Sequence, residues 1–209
     1  MRQLTGPAND FDPVEVMKKF QFIDRKLYLN KEIDDELARD FLEKIQFWNA
    51  EDECNGIPEE DRGVIQIYIN TPGGDLFATW QIVDTIKNST TPVATIVTGT
   101  AYSGGFFITI AGHQKYAFPH AAFMFHQGST LVAGDAHKFL QQADNYKDVL
   151  KQVKKHVIDN TNIPSELYDK HKADDWFFNT KQAMKYGIID GLFTTVNGEE
   201  PAEVEVTEE

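Results

Sequence analysis

The sequence predicts an α/β fold that contains a largely parallel β-sheet. Two short runs rich in β-branched residues, VIQIYIN at 64–70 and VATIVTG at 93–99, are typical of strands covered on both faces. Each run is followed by a segment that predicts a helix. Residues 75–88 have apolar positions at helical spacing, and residues 104–111 are apolar or small throughout, as in a buried helix. Strands that alternate with helices favour parallel pairing.

Before this central region, the pattern predicts a strand, a helix and a loop. The first 19 residues mix polar and turn-forming types, and residues 21–29 predict a strand or the start of a hairpin. Residues 34–48 carry apolar side chains at helical spacing. The segment that follows, Asn49–Gly63, contains helix-breaking glycines and a proline and predicts a polar loop that holds Cys54.

After the central region, the pattern predicts two short strands and three helices. The strands fall at 115–119 and 121–127, and a long, charge-rich amphipathic helix falls at 135–160. Two shorter helices are predicted at 165–172 and 181–186, the second ending at Gly187. An apolar stripe on the long helix faces either the core or a second subunit, and its members are Phe139, Val149, Val153 and Val157.

Length, charge and cysteine content exclude several classes of protein. The 209 residues suit one domain or at most two, and the formal net charge of −13 disfavours nucleic acid as a main partner, because phosphate binding requires a basic face. A single cysteine excludes an internal disulfide framework and multi-cysteine zinc modules. No apolar stretch has the length of a membrane span, and Met1–Asp10 lacks a signal region, so we expect a cytoplasmic protein without a membrane partner. The six glutamates of residues 199–209 predict a solvated tail or an interaction tail.

Two glycine-rich turns each join a predicted strand to a predicted helix. INTPGG at 69–74 is neither a phosphate loop nor GxGxxG, but a Gly-Gly pair at a helix start exposes backbone N–H groups that can hold an oxyanion. From this motif alone, a plain tight turn is the simpler interpretation. GTAYSGGF at 99–106 places Ser103 at the start of an apolar helix, where a nucleophile benefits from the helix dipole. GxSxG is not matched, because Ala101 precedes the serine by two positions, and helix capping is the commoner role of such a serine.

The histidines and acidic residues complete a set of groups suited to acyl transfer. Five of the six histidines lie in segments that predict exposure or loops, whereas His126 ends the apolar run AAFMF and is expected to be buried. No pair of histidines has a metal-binding spacing, so we expect neither a metal nor a cofactor. Asp174 or Asp175 adjoins three aromatic residues and needs a partner such as a histidine N–H. Together these residues supply a nucleophile, a base, an orienting acid and backbone donors, in the chain order serine, histidine, aspartate. Serine hydrolysis requires these groups and no cofactor.

Four motifs in the same order closely resemble the ClpP family, the proteolytic subunits of ATP-dependent Clp protease. The family pattern of a strand, I-N-S-P-G-G and a helix occurs here as INTPGGDLFATWQIVDTI, and the serine segment G-x-A-x-S-x-G occurs as GTAYSGG. The family segment P-N-A-x-x-M-x-H-Q is PHAAFMFHQ here. The D-x-F and E-A-x-x-Y-G-L-I-D segments are DWF and QAMKYGIID. The resemblance extends from about Phe20 to Leu192 and covers most of the chain.

The resemblance implies a catalytic triad. Ser103 would be the nucleophile and His126 the general base that later protonates the leaving amine. Asp175 would orient His126, and it is preferred to Asp174 because the family aspartate stands two residues before the aromatic, here Phe177. The resemblance also implies an oxyanion hole formed by the backbone N–H groups of Gly74 and Gly104.

The resemblance also implies an architecture and an assembly. The family fold is a ClpP/crotonase-type spiral of ββα units with a protruding handle helix, which residues 135–160 would form. Residues 1–19 would be an N-terminal segment, flexible or part of an axial loop, residues 20–195 the protease domain, and residues 196–209 an acidic tail. The implied protein is a serine endopeptidase that cleaves unfolded polypeptides or peptides inside a homo-oligomeric chamber. That chamber would be a seven-membered ring or a stacked double ring, fed by an AAA+ unfoldase.

Four departures from the family pattern accompany the resemblance. Just before the aspartate the family often carries an acid–Arg pair that makes ring-to-ring contacts, and here Ala173 and Asp174 occupy those positions. Gly104 stands where the family usually has Met, so we expect a changed substrate wall and a looser turn. Gly128 and Ser129 follow His126–Gln127, where the family usually continues with Pro. The predicted loop 49–63 is longer than usual and would decorate the outside of a ring.

Four alternatives use the same fold. A phage-type capsid-maturation protease is compatible with the sequence. A non-catalytic ring paralogue is the second alternative, and the intact Ser103, His126 and Asp175 argue against it. A signal-peptide peptidase uses a Ser–Lys dyad, and a crotonase-type acyl-CoA enzyme lacks this triad. Both fit less well, because the match includes the His126 and Asp175 segments.

Overall fold

A computed structural model describes residues 12–128 and 135–193, and these residues form seven α-helices and seven β-strands. The helices are α1 (Pro13–Ile23), α2 (Asp35–Cys54), α3 (Leu76–Lys87), α4 (Gly104–Ala111), α5 (Ala136–Asn160), α6 (Ser165–His171) and α7 (Thr180–Lys185). The strands are β1 (Lys26–Leu29), β2 (Ile65–Thr71), β3 (Val93–Tyr102), β4 (Gln114–Ala117), β5 (Ala122–Phe125), β6 (Trp176–Asn179) and β7 (Gly191–Leu192).

The strands form one branched sheet in which almost all neighbours are parallel. The main path has the order β1-β2-β3-β4-β7, and every pair along it is parallel. The long strand β3 pairs with β4 through residues 94–97 and then with β5 through residues 100–102. Strand β5 in turn pairs with β6 in antiparallel fashion. The predicted mixed α/β architecture with a largely parallel sheet is confirmed and is consistent with the ClpP fold.

The core lies where helices cover the central strands. Ile65, Ile67 and Ile69 of β2 are fully buried, and the first five residues of β3 are buried as well. All eight residues of α4 are buried, as expected for a helix that is apolar on every side. Each fully buried large apolar side chain contributes roughly 1.5–3 kcal/mol to the stability of the fold. The turn between β3 and α4 is therefore held on both sides by well-packed elements.

Helix α5, the predicted handle, packs on the rest of the chain through its C-terminal half. Val153 and Val157 are buried, whereas Phe139 and Leu140 near its N-terminus are 52% and 63% exposed. The predicted apolar stripe is therefore divided. Its C-terminal members join the core of this subunit, and Phe139 leaves an apolar side chain in solvent.

The N-terminal region differs from the sequence-based expectation in two places. Helix α1 occupies much of the segment that was expected to be irregular, and residues 21–23 end that helix instead of starting a strand. Helix α2 continues to Cys54, so Cys54 lies at a helix end and not in a loop. A buried ion pair accounts for this extension, because the fully buried Asp52 carboxylate accepts hydrogen bonds of 2.6 and 2.7 Å from the guanidinium of Arg25.

Several predictions fall outside the described residues. These are the first eleven residues of the N-terminal segment, Ser129, and the acidic tail at 196–209. Strands β6 and β7, in contrast, are described but were not predicted as strands. Among the described helices, none combines the length and apolar character needed to cross a membrane.

Candidate active site

A cleft of about 610 Å³ is lined by four of the five predicted site residues. It lies between the turn that begins α3, the turn that begins α4, the end of β5 and helix α5. Its lining includes Gly74, Ser103, Gly104 and His126. Asp175 reaches the cleft from outside, through its contact with His126.

Ser103 stands at the end of β3 in a strained backbone conformation. Its φ of 53° and ψ of −116° are rare for a residue with a side chain, and such conformations cost about 1–3 kcal/mol. The surrounding structure holds the turn, since Ser103 N–H donates to Met124 O at 2.9 Å and Ser103 O accepts from Phe106 N–H at 3.0 Å. The Ser103 side chain makes no capping hydrogen bond to α4, so the interpretation of this serine as an ordinary helix cap is wrong.

The Ser103 hydroxyl instead contacts His126. Ser103 Oγ lies 2.7 Å from His126 Nε2, a distance typical of a strong hydrogen bond. With a proton on Nδ1, Nε2 accepts from the serine hydroxyl and can remove its proton. The His126 side chain is 31% exposed, so it is half-buried and still open to the cleft.

The pairing of β5 with β6 explains why Asp175 lies next to His126. Phe125 and Trp176 face each other in this antiparallel ladder, so the residues just beyond them, His126 and Asp175, are also neighbours. Asp175 Oδ1 lies 3.5 Å from His126 Nδ1, close enough for an ion pair with a protonated ring but longer than a good hydrogen bond. Asp175 is 64% exposed, so the aromatic residues that follow it in the sequence leave its carboxylate largely open to solvent.

Asp174, the alternative acid, has a different partner. Its Oδ2 lies 3.5 Å from Nδ1 of His171, and its side chain is also 64% exposed. The two adjacent aspartates therefore have the same exposure and the same separation from a histidine. Only Asp175 faces the histidine that contacts Ser103.

The two glycine-rich turns place backbone donors at the same cleft. Ile33 forms a parallel bridge with Gly74, in which Ile33 N–H donates to Gly73 O at 2.8 Å and Asp75 N–H donates to Ile33 O at 2.9 Å. This pattern leaves the Gly74 N–H without an acceptor among the described residues. A side chain at Gly74, whose φ is +154°, would overlap the backbone of Ile33, so the sequence requires glycine there.

Gly104 provides the second donor and sits in a closely packed environment. As the first residue of α4 it has no acceptor within the helix for its N–H. A Cβ atom at this position would overlap Thr79 Oγ1 and would lie 2.9 Å from Ile33 Cδ1. Neighbouring side chains therefore fill the space that a larger residue would occupy, and the looser turn stays a prediction.

Comparison with known proteins identifies the family. The pattern of the Clp protease family matches residues 12–196. The chain belongs to the Clp protease family. It is 34% identical over 177 residues to ATP-dependent Clp protease proteolytic subunit 2 of Corynebacterium efficiens, a match that covers 84% of this chain and 85% of the relative. The corresponding subunit 2 of Corynebacterium diphtheriae is 33% identical over the same shares of the two chains. Subunit 1 of Corynebacterium jeikeium is also 33% identical, over 82% of this chain and 88% of the relative.

These matches confirm the resemblance drawn from the four motifs and the prediction of a Clp-type peptidase. They extend that resemblance toward the N-terminus, since the Clp protease pattern begins at residue 12 and so includes helix α1. The relatives are named as proteolytic subunits, and the chain covers most of their length.

Other histidines of this Clp family member lie apart from the cleft or have structural partners. His156 was expected to be exposed but is half-buried on α5, where its Nε2 lies 3.0 Å from Phe107 O and its ring meets Trp80 edge-on. This burial lowers the pKa of His156. His113 accepts a hydrogen bond of 2.9 Å from Val93 N–H through Nδ1. Among residues 12–128 and 135–193, no three His, Cys, Asp or Glu side chains are grouped as metal ligands would be.

Two cleft residues were not singled out from the sequence. Tyr146 of α5 donates a hydrogen bond of 3.3 Å from its hydroxyl to Gln127 O, next to His126. Thr79 of α3 lies fully buried beneath the two glycine turns. Tyr146 lies outside the four motifs, and Thr79 lies within the first of them without any feature that marks it there. Both line the cleft through contacts between distant parts of the chain.

Proposed function

We propose that this chain is a serine endopeptidase subunit that hydrolyses peptide bonds with Ser103, His126 and Asp175. The observation that carries the proposal is the 2.7 Å contact between Ser103 Oγ and His126 Nε2, at a turn whose strained backbone presents the hydroxyl to a cleft. A nucleophile within hydrogen-bonding distance of a base, with a third group beside that base, is the arrangement that acyl transfer requires.

The reaction follows from the positions of these groups. Ser103 Oγ attacks the carbonyl carbon of the scissile bond while its proton passes to His126 Nε2. The C–N bond then breaks, and the same proton goes to the leaving amine, which leaves an ester on Ser103. A water molecule, deprotonated by His126, hydrolyses the ester and restores the serine hydroxyl.

The negative oxygen of each tetrahedral intermediate requires donors that are already in place. The N–H groups of Gly74 and Gly104 line the cleft with no competing acceptor among the described residues. Each such donor accounts for about 10²- to 10³-fold in rate in serine proteases. Asp175 favours the imidazolium form of His126 that arises at the same moment.

We further propose that the chain acts within a homo-oligomeric ring that encloses a chamber. The side chains of Phe139 and Leu140, near the N-terminus of α5, are apolar and exposed, and this supports a second subunit as their partner. The ATP dependence in the names of the relatives supports a partner AAA+ unfoldase that delivers unfolded polypeptides. We also propose that residues 1–19 form an N-terminal segment, residues 20–195 the protease domain and residues 196–209 an acidic tail. The proposed location of the protein is the cytoplasm.

Turnover of a fluorogenic peptide by the purified, assembled protein tests the proposal. Replacement of Ser103 by alanine is expected to lower kcat by about 10⁴-fold or more, because the groups of such a triad act as a unit. Ser165→Ala, which removes a serine outside the cleft, provides the matched control and is expected to retain activity. An active Ser103→Ala variant contradicts the proposal, and an assembled but inactive wild type favours the non-catalytic paralogue. Light scattering after size-exclusion chromatography separates a single ring, a double ring and a lone subunit by mass.

A further inference from the structure

Thr79 occupies the space between the two turns that supply the proposed oxyanion donors. It lies on the first turn of α3, its side chain is fully buried, and it contributes to the wall of the cleft. It is neither a proposed nucleophile nor a proposed proton carrier. Its contacts nevertheless reach both glycine turns.

The first contact ties Thr79 to the Gly74 turn. Thr79 Oγ1 donates a hydrogen bond of 2.7 Å to the carbonyl oxygen of Asp75, and Thr79 N–H donates to the same oxygen at 3.0 Å. The peptide of Asp75 directly follows Gly74, and Asp75 N–H is held by Ile33 O at 2.9 Å. Asp75, the residue directly after Gly74, is thus held at its N–H by Ile33 and at its carbonyl oxygen by Thr79.

The second contact joins Thr79 to the Gly104 turn. An added Cβ at Gly104 would overlap Thr79 Oγ1 and would lie 3.3 Å from Thr79 Cγ2. Both branches of the threonine side chain therefore face the backbone of Gly104. The hydrogen bond to Asp75 O fixes the rotamer of Thr79, and that rotamer closes the gap to Gly104.

We propose that Thr79 is a positioning residue that sets the spacing between the Gly74 and Gly104 N–H donors. This inference rests on the proposed function, because spacing matters only if both donors bind one oxyanion. The Thr79 side chain has a fixed rotamer and packs between the two turns. A change in the size of this side chain should therefore change the distance between the Gly74 and Gly104 N–H donors. Misplacement of catalytic groups by about 1 Å costs on the order of 10²-fold in rate.

Paired substitutions at positions 79 and 104 test this spacing. Gly104→Ala alone introduces the overlap with Thr79 and is expected to lower kcat by about 10²-fold with KM changed less than about threefold. Thr79→Ala alone leaves a gap and is expected to lower kcat by about tenfold. The double variant, in which the smaller side chain at position 79 makes room for the methyl group added at position 104, is expected to recover at least about tenfold in kcat over Gly104→Ala. Thr79→Ser, which keeps the hydroxyl, is expected to remain within about threefold of the wild type.

Thr85 offers a matched control on the same helix. It is also buried, and its Oγ1 donates to Gln81 O at 2.6 Å, the same bond to the preceding turn, but it does not line the cleft. Thr85→Ala is expected to change thermal stability and to leave kcat within about twofold of the wild type.

The outcomes separate this inference from the proposed function. A double variant no better than Gly104→Ala, or a Thr79→Ala variant as active as Thr85→Ala, overturns the positioning role while Ser103-dependent turnover stands. An assembled wild type without Ser103-dependent turnover overturns the proposed function and this inference with it. If Gly104→Ala does not assemble, the comparison of Thr79→Ala, Thr79→Ser and Thr85→Ala decides through kcat alone.

Discussion

Replacement of Asp175 by asparagine measures how much the proposed acid contributes to hydrolysis. The substitution keeps the shape of the side chain and removes its charge. During each proton transfer His126 becomes an imidazolium, and the Asp175 carboxylate attracts it. The substitution removes this attraction and so measures its contribution to the rate.

The separation of 3.5 Å between Asp175 Oδ1 and His126 Nδ1 sets the magnitude. Coulomb's law gives about 1 kcal/mol for this separation in water and about 5 kcal/mol at the effective dielectric constant of about 20 that suits surface pairs. Since 1.36 kcal/mol corresponds to a tenfold change in rate, the predicted loss in kcat lies between about 5-fold and about 5 × 10³-fold. Because Asp175 is 64% exposed and solvent screens its charge, the loss in kcat for Asp175→Asn should be smaller than the loss for Ser103→Ala.

The neighbouring acid supplies the control for this prediction. Asp174 has the same 64% exposure and the same 3.5 Å separation from a histidine, but that histidine is His171 and not His126. Asp174→Asn is therefore expected to leave kcat for a fluorogenic peptide within about twofold of the wild type. The reasoning is refuted if the two substitutions lower kcat equally, if Asp174→Asn is the more harmful, or if Asp175→Asn has no effect.

Three further predictions concern stability and substrate choice. Asp52→Ala should destabilise the fold by about 3 kcal/mol, the lower end of the range for a broken buried ion pair, because Arg25 loses its closest partner and keeps only Glu51 Oε2 at 3.1 Å and Gly63 O at 3.0 Å. Thermal unfolding at fixed protein concentration measures the loss. Burial lowers the pKa of His156 in the folded protein. The folded state therefore favours the neutral imidazole, and its stability is greatest above the ordinary pKa range of histidine. That part of the stability is lost as the pH falls through the folded-state pKa of His156. Unfolding curves from about pH 7 to about pH 5 should therefore show a loss of stability that His156→Gln reduces, and equal slopes would contradict this. The described cleft wall contains two carboxylates, those of Glu32 and Asp75, and no lysine or arginine. Peptides with basic side chains beside the scissile bond should therefore be cleaved faster than peptides with acidic ones. A library of fluorogenic peptides that shows the reverse order refutes this prediction.

The elements predicted well from the sequence are those whose pattern is set by burial on every side. The apolar runs of β2, β3 and α4 left few alternatives, and the observed bounds differ from the predicted ones by three residues at most. Helix α1 was missed because none of its residues is buried, and it depends on the Asp12 cap and on Pro13 at its first turn. The C-terminal end of α2 was missed because a long-range ion pair stabilises it, and such a pair leaves no local pattern.

The site could be predicted as a set of residues but not as an arrangement. The motifs pointed to the serine, the histidine and the glycine turns, but the residues alone left Asp174 and Asp175 open. The antiparallel register of β5 and β6, which brings Asp175 to His126, joins segments about fifty residues apart and has no local signature. Thr79 was missed for the same reason, because its importance lies in its contact with the Gly104 turn, which forms only when distant segments of the chain meet.

Covalent labelling of the assembled wild type by a fluorophosphonate tests the central proposal most directly. Such a probe forms a stable bond only with a serine that a nearby base activates, so it reports the Ser103–His126 pair without any assumption about the natural substrate. Intact mass and peptide mapping are predicted to show one adduct per chain, on Ser103, and none in Ser103→Ala or His126→Ala. An assembled protein that remains unlabelled, or one that carries its adduct on another residue, would contradict the proposed role of Ser103.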